Sequence, residues 1–598
     1  MNWSPTPSKD GTSRRSFLAA GAAGAAIATS GCLNNVRSVV SRTGNDQLSL
    51  TITTIPAEGD RQGIQIARRL EKNLEKVGIA TSLDMRSRSE LLETVLIEHD
   101  FDIYVGHHPA DYDPDFLYET LHSTFANESG WQNPFGFTSW AFDALLDAQR
   151  RAEGDDRIQK VQSVLKALAQ EKPFDPICMP DEHRVARAGR FDGWDEADLS
   201  TRHGYLGLEP ADGVNQLHAL KNDARATNNL NPLSATMRER NTTIDLLFDS
   251  LATVNNGEVE QWLAKSWDWT EPDDSDPESN LTATVTLHED CQFHDGEPLT
   301  AEDVAFTYRF LKDTSLGRTP TSSPAPRYQG HVNVIDNISI DDDAVDGMYE
   351  LQFSFNGSRE TAKRAFTVPI LPKHYWHDLV DRRASSGDFT APQGRWLAVT
   401  GNHIPPIGSG PFQFDSRTAD EELRLTRYED HFTLRDDNEL PEPTVDELRF
   451  DIDPSSASSI RRVAGGSADV TASVLAAYTI GAIPDTSDIE RLQTPSQTFY
   501  HLGFNVRNAP FSNTHFRRAI TQLIDKEAIA KEVFYGNATP VATPVTDEWV
   551  PESLEWNGED PVMPFVGSDG ELNVEAAKAS FETAGFRYDD NGRLLGGN

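Results

Sequence analysis

The chain has 598 residues, more than one compact core holds, and its 37% hydrophobic content with 11 Trp and 29 Phe is that of a folded, multidomain protein. It carries 94 Asp and Glu against 54 Lys and Arg, a formal net charge of −40 spread along the whole length. Such a surface repels phosphate backbones and excludes nucleic acid as a partner; it suits a protein soluble in very high salt, where screening removes self-repulsion, and points to a haloarchaeal origin.

The first segment, "SRRSFLAAGAAGAAIATSGC" (13–32), sets Arg14–Arg15 ahead of a weakly apolar Ala/Gly run too short and Gly-rich to span a membrane. It resembles a twin-arginine export signal, and Thr29-Ser30-Gly31-Cys32 resembles a lipobox whose cysteine is lipidated after cleavage. Residues 33–46 then read as a tether, which puts the mature protein at the cell surface, held by lipid to the outer face of the cytoplasmic membrane. The other cysteines are Cys178 and Cys291, and three cysteines without a Cys-x-x-Cys pair build no disulfide framework.

"LSLTITTI" (48–55) alternates as a strand. The next segment sets Ile64, Ala67, Leu70, Leu74 and Val77 on one helical face with Gly78 as the stop. "ATSLDM", "SRSELLETVLIEH" and "FDIYVG" continue as strand, helix and strand, an alternation that argues a parallel sheet flanked by helices. Two more helices follow, the second with Ile158, Val161, Leu165 and Leu168 in register. This first α/β portion is expected over 47–190, and the Gly- and Asp-rich stretch 191–215 is expected to be a linker.

A second section, 216–492, mixes strands such as "LTATVTLHEDCQF", "YELQFSF" and "ELRLTRY" with the helix "TAEDVAFTYRFLK", whose Thr300 and Asp303 form a capping box. From 493 to 598 the α/β pattern returns and ends on a helix with Val574, Ala577 and Phe581 on one face, a "DDNG" turn, and Leu594–Leu595 as the start of a strand.

"CQFHDGEPLTAEDVAFTYRF" (291–310) resembles the signature of family 5 of the extracellular solute-binding proteins of ABC importers, the oligopeptide/dipeptide class. "NNLNPL" (228–233), "IGSGPFQF" (407–414), "GGSADV" (465–470) and "LGFNVRNAPFSNTHFRRAITQLIDKEAIAKEVFYG" (502–536) resemble further family strings. The family's C-terminal portion resembles residues 48–173 here, including "ADYDPDFL" (110–117), so the chain reads as a circular permutant. The resemblance implies an α/β, two-lobed, periplasmic-binding-protein-like (type II) fold with a hinge. One lobe is split between the chain ends, with parallel strands from the two ends lying side by side.

The resemblance also implies capture of di- or oligopeptides and delivery to a permease powered by ATPase subunits, by a monomer with no cofactor. Oligosaccharide or nickel-chelate binding, and a sensor or chaperone role, are the alternatives. A secreted hydrolase finds no support, since neither Gly-x-Ser-x-Gly nor His-Glu-x-x-His occurs. In the family an aspartate of the acidic turn meets the ligand's α-ammonium; here that is Asp111 or Asp113, with Tyr112 as pocket wall or surface aromatic, and the alternative is an acidic surface turn. Gly408, Ser409, Gly410 and Phe412 are expected at the cleft, as is Tyr500. Asn505 is read as either a ligand contact or a hinge hydrogen-bonder.

His288, Cys291 and His294 lack a fourth ligand and are not assigned a metal. Asp111, Asp113 and Asp115 open like a calcium loop, but Phe116 and His122 stand where Gly and Glu are required, which excludes an EF-hand. "HHP" (107–109) is read as a metal or chelate site or as two polar histidines at a cleft rim.

Overall fold

The computed structural model describes residues 46–596 except 196, 238–241, 274, 276–278, 320–321, 341–347, 381–396, 437, 495 and 497. Arg14, Arg15, Cys32 and the tether up to residue 45 lie outside the described residues.

The chain enters through strand β1 (Ser49–Thr54), helix α1 (Arg61–Lys76), β2 (Ala80–Met85) and β3 (Ile103–Pro109). Helices α2 (Phe116–Leu121), α3 (Trp140–Arg151) and α4 (Gly154–Glu171) follow, then β4 (Phe174–Pro180). α1 forms where the sequence places it: Asp60 caps it by accepting from the Gly63 N–H at 2.9 Å, and Ile64, Ala67, Leu70 and Leu74 are buried. Each of the Ile and Leu side chains contributes roughly 1.5–3 kcal/mol on burial. "SRSELLETVLIEH" does not make one regular helix: Arg88–Leu92 is α-helical and Glu93–Glu98 a π-helical turn ending on His99 at φ 54°.

β5 (Glu182–Arg187), β6 (Gln216–Lys221), β7 (Ala264–Thr270), β8 (Leu281–Leu287), α5 (Ala301–Lys312) and α6 (Gln329–Asn333) come next. They lead to β9 (Ile335–Ser339), β10 (Glu350–Phe355), α7 (Arg359–Ala365), β11 (Phe412–Thr418), β12 (Glu422–Arg427) and β13 (Glu447–Ile452). β14 (Val470–Thr471), β15 (Ile489–Thr494), β16 (Thr498–Phe504), β17 (Ala538–Pro540) and α8 (Val574–Thr583) complete the main frame.

Three sheets organise these elements. The first has six strands in the order β2-β1-β3-β16-β4-β17, the second seven in the order β11-β12-β13-β6-β14-β5-β15, and the third four in the order β7-β8-β10-β9. The six-stranded sheet is covered on both faces: Ile103, Val105 and Leu502 join one apolar cluster, while Tyr104 and Phe499 join another. The second and third sheets share a single core that runs from Leu217 and Phe450 to Val285 and Phe353.

The chain-end segments do lie side by side, but the expected parallel pairing is wrong. β16 runs antiparallel to both β3 and β4, with Thr498 opposite Pro109. The cause is the route of the chain: it enters this lobe at the edge where β3 ends, so β16 has to run away from that edge.

β5 also belongs to the seven-stranded sheet, so the first crossing between lobes falls at Asp181 and not at 190. The second crossing joins Thr494 to Thr498, and the Ser496 hydroxyl donates to Glu182 at 3.0 Å, tying the two crossings together. The stretch 191–215 is no linker: Phe191, Trp194, Leu199, Tyr205 and Leu208 are buried in the second lobe's core. Its Gly and Asp residues hid widely spaced apolar anchors.

Away from the crossings, the two chain ends meet. The Leu48 N–H donates to the Leu594 carbonyl at 2.8 Å, and Gly596 N–H to the Asp46 carbonyl at 3.0 Å. Gly78, at φ +83°, closes α1 against the last turn, where a Cβ would sit 2.1 Å from the Gly592 carbonyl oxygen.

Candidate functional site

Between the six-stranded sheet and the other two lie two cavities, one at the carboxyl end of β3 and the larger at those of β1 and β3, where open α/β sheets present their ligand crevices. Alternation along β3 divides them: His107 lines the larger, about 790 Å³, and His108 the smaller, about 250 Å³. Across the strand pair, His107 faces Tyr500 and His108 faces Phe499.

The larger cavity is walled on one side by the first turn of α1. Asp60 accepts a hydrogen bond from the Tyr500 hydroxyl at 3.0 Å, and burial pushes that phenol well above its ordinary range. Arg88 donates to the Gly59 carbonyl at 2.9 Å and lies 3.2 Å from the His107 ring. From the opposite lobe, Tyr478 presents its ring to Arg61, whose guanidinium carbon lies 4.7 Å from the centroid. Five acids (Glu58, Asp60, Asp181, Glu182, Asp223) and five bases (Arg61, Arg88, Arg184, Lys221, Arg225) line this space. Within a chain of net charge −40, the cavity wall is charge-balanced.

The smaller cavity is built around the acidic turn after β3. Asp111 Oδ2 accepts from Arg364 Nε at 2.6 Å, and its Oδ1 accepts from the Tyr112 N–H at 2.8 Å. Arg364 comes from α7, across the lobe boundary, and its other nitrogens stand 3.6 Å from Asp115 and 3.9 Å from Glu119. Asp115 is held by Arg150 at 2.6 Å and Gln149 at 2.7 Å; burial would raise its carboxyl, but Arg150, with Arg364 and Arg157, outweighs that and holds it below the usual range. Glu119 is raised instead, because burial exceeds what Arg364 returns. His331, 3.6 Å from Asp111, and His108 are both kept neutral by burial, His108 down to about 3.

Asp111 and Tyr112 therefore line the smaller cavity and Tyr500 the larger. The Tyr112 hydroxyl donates to Asp198 at 3.3 Å, spanning the lobes. Asp113 lines neither of these cavities: it points to Arg157, with contacts of 2.8 and 2.5 Å.

The Gly408–Phe412 loop is also misplaced by the sequence reading. A Cβ on Gly408 would lie 1.9 Å from the Leu247 carbonyl oxygen and one on Gly410 2.7 Å from that of Leu246. Ser409 Oγ accepts from the Asp249 N–H at 3.2 Å, and Phe412 is in the core. The close backbone approach that the glycines permit is to the protein's own chain. Asn505 lies at the end of β16 farthest from the crossing, roughly 20 Å along the strand. There its amide donates to the His99 and Phe101 carbonyls at 2.9 and 3.0 Å, so it braces a turn and touches neither ligand space nor hinge.

The sequence reading missed Arg364, Glu119, Arg61 and Tyr478. The spacing Asp111, Asp115, Glu119 is a four-residue repeat that signals one acidic face; nothing near it in sequence signals Arg364.

A sequence model described as "Bacterial extracellular solute-binding proteins, family 5 Middle" matches residues 258–595, more than half of the chain. The chain belongs to this family. Among curated family 5 relatives it is 25% identical over 321 residues to the oligopeptide-binding protein AppA of Bacillus subtilis, covering 53% of this chain and 50% of that protein. A putative ABC transporter peptide-binding protein of Brucella ovis is 24% identical over 302 residues, covering 50% and 49%. The chain thus spans about half the length of the curated relatives it matches. Among solved structures, Bacillus subtilis AppA in complex with a nonapeptide aligns with TM-score 0.43 at 19% identity, covering 63% of this chain and 65% of that one. The dipeptide-binding protein of Pseudoalteromonas sp. SM9913 in complex with Met-Leu aligns with TM-score 0.41 at 20% identity, covering 62% and 66%. These relatives are solute-binding proteins, and no described helix of the chain is long and apolar enough to cross a membrane.

Proposed function

We propose that the chain is the solute-capturing component of an ABC importer, closing on di- or oligopeptides between its lobes and handing them to a membrane permease driven by ATPase subunits. The observation that carries this reading is the charge-balanced cleft in a strongly acidic molecule. A peptide brings one positive and one negative end into a wall offering both signs, whereas a polyanion meets the field of the whole chain. A volume of about 790 Å³ is the size of a small-ligand cleft. Asp111, in the smaller cavity that shares Ser200 with the larger, is the seat for the α-ammonium, as a carboxylate facing a cation makes a charge-assisted hydrogen bond.

The same reading makes the first lobe residues 47–180 with 498–598 and the second 182–494, hinged at the two tied crossings. The adjacency of Leu48 and Leu594 supports circular permutation of the family order, since joining and cutting are tolerated where ends meet at the surface. Export by Arg14–Arg15, anchorage through Cys32, a haloarchaeal origin and a monomeric state belong to it as well. Capture requires no bond breaking, and peptides recovered from the complex should have unchanged mass.

A thermal-shift screen in molar potassium chloride tests the reading with short free peptides, N-acetylated peptides, oligosaccharides and nickel chelates. A peptide at a hundred times its Kd should stabilise the protein by about 2.7 kcal/mol by mass action. Stabilisation by sugars or chelates alone would overturn the peptide assignment and leave solute capture standing. Silence across the panel would overturn both.

A further inference from the structure

Arg364 already occupies the carboxylate that the proposed function assigns to the ligand's ammonium. Its Nε is 2.6 Å from Asp111 Oδ2, and the Arg364 side chain is only 6% exposed. A ligand cation arriving at Asp111 therefore competes with the protein's own guanidinium.

The surroundings of Arg364 contain a second seat for its charge. Nη1 is 3.6 Å from Asp115 and Nη2 3.9 Å from Glu119, both too long for hydrogen bonds. Arg364 Nη1 and Glu119 Oε1 are each buried and each without a hydrogen-bond partner. Buried polar atoms left without partners on two side chains 3.9 Å apart are costly, and a hydrogen bond between Arg364 and Glu119 offsets that cost. Burial holds the Glu119 carboxyl above its ordinary range, the mark of a carboxylate short of a counter-charge in this arrangement.

We propose that Arg364 is a two-seat counterion, resting on Asp111 when the cleft is empty and moving to Glu119 and Asp115 when a ligand ammonium takes Asp111. This deepens the peptide reading and rests on it. The device sets selectivity, because only a ligand end cationic enough to replace a guanidinium is accepted at Asp111. Asp111, Asp115 and Glu119 all belong to the first lobe and Arg364 to the second, so the guanidinium bridges the lobes in either seat.

Two substitutions with opposite expected signs test it, with the affinity of trialanine and of N-acetyl-trialanine measured by calorimetry in molar salt. Glu119→Gln, close in shape and lacking the charge, removes the second seat. It should weaken trialanine binding roughly tenfold and leave the acetylated peptide unchanged. Arg364→Gln removes the competitor and should tighten trialanine binding by a similar factor, which a merely structural arginine would not do. Should Arg364→Gln fail to fold, Arg364→Lys, whose single ammonium makes a weaker hold on Asp111, should also favour trialanine over its acetylated form. Equal losses for both peptides in Glu119→Gln, or weaker trialanine binding in either Arg364 variant, would overturn the two-seat assignment while peptide capture stands. Wild-type protein that binds neither peptide but does bind an oligosaccharide or nickel chelate would overturn the peptide reading itself.

Discussion

Asp111 shows how a single residue's chemistry is set by partners far along the chain. Its turn, its neighbour Tyr112 and its place after a strand are local and legible; the guanidinium that neutralises it comes from residue 364, and no spacing rule reaches that far. The Gly408 loop is the converse case. Its Gly-x-Gly-Pro pattern announces a close backbone approach but not what is approached, and the partner is the chain segment at Leu246–Asp249. Gly408→Ala should therefore lower stability, by roughly 1–3 kcal/mol as neighbouring backbone is forced aside. Thermal unfolding of the ligand-free protein measures that, and trialanine affinity of the folded fraction should be unchanged.

At the scale of elements, amphipathic periodicity located α1, α4 and α8 because each buries one face, and alternation located β1, β8 and β10. The stretch 191–215 escaped because isolated buried aromatics carry no period, and the direction of β16 escaped because it depends on where the chain crosses between lobes. The two halves of the split lobe are also joined by charge. Lys172 and Lys526 face Asp175 and Asp560 in a fully enclosed group, with Lys526 at 2.8 Å from Asp560 and 3.1 Å from Asp175. Burial alone would raise the Asp560 carboxyl, but Lys526 and Lys172 hold it well below the usual range. Lys526→Met leaves two buried aspartates sharing one lysine, and should cost about 3–5 kcal/mol in denaturant unfolding.

For the whole molecule, acidity and burial pull stability in a defined direction with pH. Burial holds His99, His203 and His294 down to about 4 and His108 to about 3, so the folded chain refuses protons that the unfolded chain takes up near 6.5. The unfolded state then binds more protons, and stability falls as pH drops below about 6.5 and continues to fall toward those lower values. Depressed carboxyls such as Asp560 add a further loss below about pH 4. Denaturant unfolding at fixed molar salt, stepped from about pH 8 to about pH 4, should show a declining midpoint from the histidine range onward. A profile flat down to the carboxylate range would contradict it.

The meeting of Leu48 with Leu594 has a mechanical consequence. The first and last described residues sit together beyond the amino end of β1, on the side of the six-stranded sheet opposite the cleft. Under the proposed anchorage the molecule is moored by its back, with the mouth facing outward to collect solute. Unloading then demands that the whole body turn over on its mooring until the mouth meets the bilayer.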